Sequence, residues 1–441
     1  MNIVVATLSA IERLFGPLAD EAGRASQVIV RMRKFSALTL ARTFVLGFLQ
    51  KPTATDEDLA QAAAQCGVAV TPQAIDQRHT PALVAFLREL FGRAVRVVVA
   101  GGRSPAPLLD RFTAVTLLDS TVISLPESQR HEFPGCGGGR GGGEAAVKLQ
   151  VELDLKSGAV SHVEVEPGRT SDGGSVRQNA IPAEGALRVA DLGYFSVPVF
   201  AAIIAAKAHF LSRLHYKTGV RTLEKILVDL LPWLARPAGP WVDERILLGP
   251  EQLACRLIAW RLPPDQAARR RRKRREETRS KYGREPTADR LAWCDWTILV
   301  TSVPSDLLTP AEAAILYRAR WQIELLFKRW KGQDRVALLS GSTDDRQLVR
   351  VWARLLAALV QHWLVIAGVW GDPSKSLAKA CEAVRAFAGR LMAAVTGTED
   401  LARILADLAR VLEKTCRRNK RKKPGTFELL NDWSLLDFRL T

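Results

Sequence analysis

Two short apolar runs in this chain each close on a lone acid: Thr113–Asp119 and Ala186–Asp191. What lies between them narrows the fold. Val147, Leu149, Val151, Leu153 and Leu155 alternate with other residues, the period-two pattern of a strand with one buried face. Ser157-Gly158 supplies a turn, and Val160–Val165 reads as the returning arm of a hairpin. Ser175–Ala180 is expected to open a helix, Val197–Lys207 to form one, and His209–Leu214 to be a further strand. The expected order is strand, two hairpin arms, helix, strand, helix, strand, with an acid at the end of the first and fourth strands.

That order is the ribonuclease-H-like one, an analogy at the level of fold, in which the first and fourth strands are neighbours and their acids meet. A third acid, Glu324, sits in the run Leu316–Lys331. If this run is helical, Tyr317, Arg320, Glu324 and Lys331 fall within about 60° of arc at about 100° per residue. Thr309-Pro310-Ala311-Glu312 starts that helix with an N-cap, a proline at the first position and a capping-box glutamate. Three carboxylates on separate elements have the form of a two-metal phosphoryl-transfer site. Such donors suit hard magnesium or manganese (Mg2+ or Mn2+), with Asp119 bridging both ions and Asp191 and Glu324 each holding one. Each acid alone has an ordinary account: a cap at a strand end for Asp119, a tight turn at Asp191-Leu192-Gly193-Tyr194, a solvated helix residue for Glu324.

The stretch from Asp191 to Glu324 is longer than a plain core of this kind requires, so an insertion is expected there. Trp241–Leu248, Leu253–Leu262 and Trp296–Thr301 read as strands, and Arg269–Glu277 as a basic helix. The chain of 441 residues is 47% hydrophobic, and its 63 Lys and Arg against 46 Asp and Glu leave a formal charge of +17. A surplus of that size favours a polyanionic partner, nucleic acid first. In the N-terminal stretch, a helix near Asp58–Ala64, a turn at Gly67 and a short helix begun by Thr71-Pro72 resemble a helix-turn-helix. Gln73, Gln77 and Arg78 would face DNA; an ordinary corner of a helical bundle is the alternative. The glycine run Gly135–Gly143 lacks the GxxxxGK[ST] pattern and reads as a surface loop. Residues 345–415 read as helical, and Arg417–Lys423 is a second basic cluster.

The six cysteines and six histidines are scattered without metal-ligand spacing, which argues against a zinc site or a disulfide framework. No basic leader opens the chain, and the apolar stretch Leu355–Trp370 is interrupted by Gln361 and His362, too short for a confident membrane span. A cytoplasmic protein with no membrane partner is expected.

Tyr317, Arg320, Glu324 and Lys331 stand in a Y-x2-R-x3-E-x6-K pattern. With Asp119-Ser120-Thr121 and Asp191-Leu192-Gly193-Tyr194, the chain resembles a large branch of bacterial insertion-sequence transposases, the DDE type with an inserted β domain. The resemblance runs from about residue 40 to about residue 370. It implies attack of water on a phosphodiester at the transposon end, then attack of the freed 3′-hydroxyl on target DNA, with the same metals serving both steps. It also implies that Tyr317, Arg320 and Lys331 contact phosphates of the transposon end; an ion pair of Glu324 with Arg320 or Lys328 is the plainer alternative, worth about 0.3–0.5 kcal/mol. Some relatives stack a flipped base on a tryptophan of the inserted domain, for which Trp233, Trp241 and Trp260 are candidates here. The partners implied are double-stranded DNA, both transposon ends and target, and a second copy of the chain in a homodimer at the nucleoid.

The expected fold class is therefore α/β: a ribonuclease-H-like mixed sheet in residues 109–214 and 303–345, an inserted mainly-β domain in 215–302, and helical flanks in 1–108 and 346–441. Two rivals stay open: another metal-dependent endonuclease on the same fold, separated by strand transfer, and a domesticated DNA-binding protein, separated by metal binding.

Overall fold

Nine strands form one mixed sheet in the computed structural model, which describes residues 3–31, 34–102, 104–137, 144–236, 239–420 and 423–435. They are β1 Val115–Leu125, β2 Ala145–Asp154, β3 Val160–Pro167, β4 Leu187–Ala190, β5 His209–Arg213, β6 Val220–Arg221, β7 Val242–Leu248, β8 Leu253–Arg261 and β9 Trp296–Thr301. Their order across the sheet is β3-β2-β1-β4-β5-β9-β8-β7-β6. β1 and β4 are parallel neighbours, as are β4 and β5, while β9 returns antiparallel beside β5. This is the α/β class, with the first strand beside the strand that leads to Asp191.

The strands between residues 215 and 302 continue this sheet past β5. The reason is a shared core: Phe200, Ile203 and Phe210 are buried in one cluster with Ile246, Leu257 and Ile298. The segment thus closes on the apolar face that β5 and the helix Val197–Ala205 offer.

The chain divides into two compact units. One comprises Met1–Pro105, Asp119–Thr170 and Gln322–Lys420; the other comprises Ala106–Leu118, Ser171–Trp321 and Arg421–Thr441. The first is mostly helical. Its helix Asp344–Val369 is long and apolar enough to cross a membrane, yet Trp352 and Trp363 are each 1% exposed, so it is a core helix here. It also holds the β2–β3 turn: His362 Nε2 lies 2.8 Å from the Gly158 carbonyl, and Trp370 Nε1 donates to the Leu155 carbonyl at 3.0 Å. Gly158 has φ +75°, and a Cβ there would lie 2.5 Å from the Trp370 ring, so glycine is required on both counts.

Five expectations need correction or lie wholly or partly outside the described residues. β1 does not end at Asp119 but runs on to Leu125, because Thr121, Val122 and Ile123 suit a strand. Ser175–Ala180 is not a helix but part of 3-10 turns at Asp172–Gly174 and Val176–Asn179. The Arg188 guanidinium donates to the Gln178 carbonyl at 3.2 Å and to that of Ala180, which takes acceptors a helix would use. The run Leu316–Lys331 is not one regular helix: Pro310–Ala319 and Trp321–Lys328 are separate α-helices, followed by a π turn at Arg329–Gln333. A π turn is wider than an α turn, so the angular spacing expected for Lys331 does not carry through it. Most of the Gly135–Gly143 run, and part of the basic cluster Arg417–Lys423, lie outside the described residues.

Candidate active site

Parallel pairing of β1 with β4 sets Leu118 against Ala190, and the residue that follows each in the chain is an acid, Asp119 within β1 and Asp191 just past β4. Tyr194, 1% exposed, packs on Leu118 and Ala190 and fixes the paired ends of the two strands. It is carried by the 3-10 turn Leu192–Tyr194 that Asp191 opens, and the Gln178 side chain donates to its carbonyl at 2.7 Å.

Asp191 belongs to the second unit, and the structure brings two of the expected residues to it. Arg320 Nε lies 3.8 Å from its Oδ1; the arginine side chain is 13% exposed and the aspartate 46%. At that distance the pair is an ion contact without a hydrogen bond, and the aspartate side chain stays nearly half open. Tyr317 is half-buried beside them. Burial pushes its phenol up to about 12, and the negative charge of Asp191 adds to this, while Arg213 and Arg320 oppose it. The phenol therefore keeps its proton at neutral pH. Arg320 comes near that hydroxyl but makes no well-formed hydrogen bond with it.

Asp119, Glu324 and Lys331 belong to the first unit. The Asp119 carboxylate accepts the Ser120 N–H at 2.8 Å. Glu324 lies in the first turn of Trp321–Lys328, half-buried, on a helix whose Ile323 and Leu326 are in the core. Lys331 stands in the π turn; its residue is exposed, although partial desolvation lowers the pKa of its amino group. All three acids are thus partly open to solvent, and all offer hard oxygen donors, a set that fits divalent magnesium or manganese.

The remaining expected residues are elsewhere. Gln73 and Gln77 are exposed on and just after the five-residue helix Pro72–Asp76, which Thr71 caps by accepting the Ala74 N–H at 3.2 Å. Arg78 stacks its guanidinium 5.2 Å from the Phe35 ring centre. Trp233 is half-buried against the core of the second unit, and Trp260 is 7% exposed under Trp241, their ring centres 5.1 Å apart. Two residues were not singled out from sequence: Arg213, at the end of β5, and Arg270, inside the basic run, both of which act electrostatically on Tyr317 or on each other. Their signal was a basic residue at a strand end and one position within a run of cations, neither of which stands out in a chain so basic.

Another acidic group, Asp56 with Asp76 and His79, brings its ligand-type atoms within 4.8 Å of one another. Arg346 pairs with both aspartates, 3.1 Å from Asp56, and Arg350 lies 3.6 Å from Asp56. Guanidinium groups supply the positive charge there.

Comparison with known proteins identifies the family. The transposase DDE domain model matches residues 110–360, more than half of the chain and all of the sheet. The transposase for insertion sequence element IS231F of Bacillus thuringiensis subsp. israelensis is 24% identical over 445 residues, covering 93% of this chain and 91% of that protein. The IS231B transposase of Bacillus thuringiensis subsp. berliner is 26% identical over 441 residues, with 92% and 90% covered. The IS1151 transposase of Clostridium perfringens is 25% identical over 318 residues, 66% of each chain. With a match that spans the whole sheet and relatives that align almost end to end, the chain belongs to the DDE transposases of bacterial insertion sequences, enzymes that act on DNA.

Proposed function

We propose that Asp119, Asp191 and Glu324 act as one phosphoryl-transfer centre that cuts phosphodiesters at the transposon end and joins the freed 3′-hydroxyl to target DNA. The observation that carries this reading is the register of β1 on β4, in which the paired Leu118 and Ala190 are each followed by an acid. Two divalent ions bound by these carboxylates would activate the attacking oxygen and stabilise the leaving one. The other residues bind and orient. Arg320, already turned toward Asp191, can grip a phosphate with two parallel N–H donors; Lys331 offers a point charge. Tyr317, whose phenol stays protonated, donates a hydrogen bond and takes no part in proton removal.

The helical 1–108 region would place Gln73, Gln77 and Arg78 on DNA, with 109–214 and 303–345 forming the catalytic core, 215–302 the insertion and 346–441 the C-terminal helical region. Trp241 and Trp233 retain ring surface for an unstacked base, whereas Trp260 braces Trp241 from below. The protein would act as a homodimer on double-stranded DNA in the cytoplasm, at the nucleoid.

The test uses a labelled duplex carrying the DNA that flanks the gene, incubated with magnesium or manganese and an unlabelled target plasmid. Wild type should cut the end and transfer it to the plasmid, and Glu324→Gln should lower both by at least about 100-fold. Equal cutting by both proteins would remove Glu324 from the centre. Cutting without transfer would favour an endonuclease, and DNA binding without either step a binding protein.

A further inference from the structure

The basic helix Pro264–Tyr282 has a side that the catalytic reading does not use. Arg270, Lys273, Arg274 and Glu277 recur at the spacing of one helix face. Together with Arg213 and Arg290 they line a cleft of about 250 Å3 within the second unit. Five cations meet one carboxylate there. Glu277 is shared by Arg274 at 3.2 Å and Lys273 at 3.9 Å. Among the described residues, no carboxylate lies within ion-pair distance of Arg213, Arg270 or Arg290.

This face differs from the rest of the helix. Arg269 is paired with Asp265 at 3.8 Å, Arg272 with Glu276 at 3.9 Å, and Arg271 and Arg279 with Asp295 and Glu285. In the cleft Arg270 and Arg290 are held by neutral groups, and only Arg274 shares Glu277 with Lys273. Arg270 donates to the Trp296 carbonyl at 3.2 Å and to Thr297 Oγ1 at 3.1 Å, which leaves several of its five N–H donors unused. Arg290 lies 4.1 Å over the Tyr216 ring, and Trp293 meets that ring edge-on at 5.2 Å. The aromatic pair fixes the guanidinium without neutralising it.

Such a set repels itself. Burial lowers the pKa of Arg270 to about 10, and the charge of Arg213 adds to this; burial and Arg274 act likewise on Arg290. Arg270 keeps its charge at neutral pH, so its repulsion with Arg213 persists until an anion enters. The cleft is smaller than those that hold drug-sized ligands, commonly about 300–1,000 Å3, so it suits a phosphate with part of its sugar and excludes a duplex.

We propose that this cleft is a seat for a DNA backbone phosphate, gripped by Arg270, Arg274 and Arg290, residues other than the carboxylates of the proposed centre. The inference rests on the reading of the protein as acting at DNA ends. It adds a fixed contact at which Arg270, Arg274 and Arg290 take part as a group, where surface charge alone would give diffuse attraction.

The test is run in Glu324→Gln protein, so that binding is read without cutting and its failure is not the failure of the catalytic reading. The affinity of a labelled duplex bearing the element end is measured by fluorescence anisotropy across a salt series. Arg274→Gln with Arg290→Gln should weaken binding about 10-fold at low salt and make the slope of log K on log salt shallower by about 1. Arg274→Lys with Arg290→Lys, which keeps the charge, should restore most of that slope. An unchanged slope in the glutamine variant, or a lost slope that lysine does not restore, would overturn the proposal in favour of arginines that brace the helix. Thermal stabilisation of the parent by millimolar inorganic phosphate, with the DNA slope unmoved by the glutamine pair, would also overturn it, since the cleft would then hold a free anion.

Discussion

Asp56, with Asp76 and His79 beside it, and Asp191 are both half-buried acids, and they differ in what surrounds them. Asp56, Asp76 and His79 come close enough to ligate an ion, but Arg346 and Arg350 reach Asp56, and Arg346 also reaches Asp76. Asp191 meets one guanidinium at 3.8 Å, beyond hydrogen-bond range, and keeps 46% of its side chain open. The difference teaches that a count of carboxylates does not make a metal centre. What decides is whether the protein has already supplied the positive charge. In the first group it has, and the result is a structural network joining the helices Asp56–Gln65, Pro72–Asp76 and Asp344–Val369.

The largest effect expected from this contrast is on stability. Arg346→Met removes the cation that Asp56 and Asp76 share, and should cost about 1–3 kcal/mol, read as a lower urea midpoint. The corresponding Asp191→Asn should cost less, because Asp191 is nearly half open to water and meets Arg320 only at 3.8 Å. A stability loss from Asp191→Asn as large as that from Arg346→Met would break the comparison.

A smaller effect is expected at Tyr317. Its buried phenol has no well-formed partner within the protein, so Tyr317→Phe should leave folding intact. Binding of the element-end duplex should weaken by about 3- to 10-fold, the value of one net hydrogen bond. The loss should be flat between pH 6 and 9, since the phenol titrates only near 12.

The smallest effect concerns acid. His79 is held in its neutral form chiefly by burial, against Asp56, which favours the charged form, while Arg350 opposes it. Its side chain is 2% exposed, and Phe44 meets its ring edge-on. A histidine whose folded pKa lies below its unfolded value stabilises the fold fully above about pH 6.5 and loses that contribution as pH falls. The slope should be at most about 1.4 kcal/mol per pH unit and should flatten in His79→Asn, as read by denaturation at stepped pH.

Much of the fold was legible because its signals are local. β2 and β3 follow from alternation around Ser157-Gly158, and the helix Pro310–Ala319 follows from its capping box, in which Glu312 accepts the Thr309 N–H at 2.9 Å. What was not legible depends on partners distant in sequence. The 3-10 turns after Ser171 answer to Arg188; β1 continues past Asp119 within a sheet that no local pattern announces; β6–β9 join that sheet through a core shared with Phe200 and Phe210. At the candidate site, Asp191, Tyr317 and Arg320 could be anticipated one by one, from an acid closing an apolar run and a family-like pattern, but not the approach of Arg320 to Asp191, since the carboxylate partner expected for Arg320 was Glu324. Arg213 and Arg270 could not, because their role arises from convergence in space.

The central claim is that three carboxylates share the ions while Asp56, Asp76 and His79 hold none. Iron-mediated hydroxyl-radical cleavage of the protein, with fragments mapped by mass spectrometry, tests it most directly, because radicals cut the chain beside a bound ion. The account predicts cuts near Asp119, Asp191 and Glu324, all three suppressed together by Asp119→Asn. Cuts clustered at Asp56 and Asp76, or cuts near Asp191 and Glu324 that persist in Asp119→Asn, would contradict it.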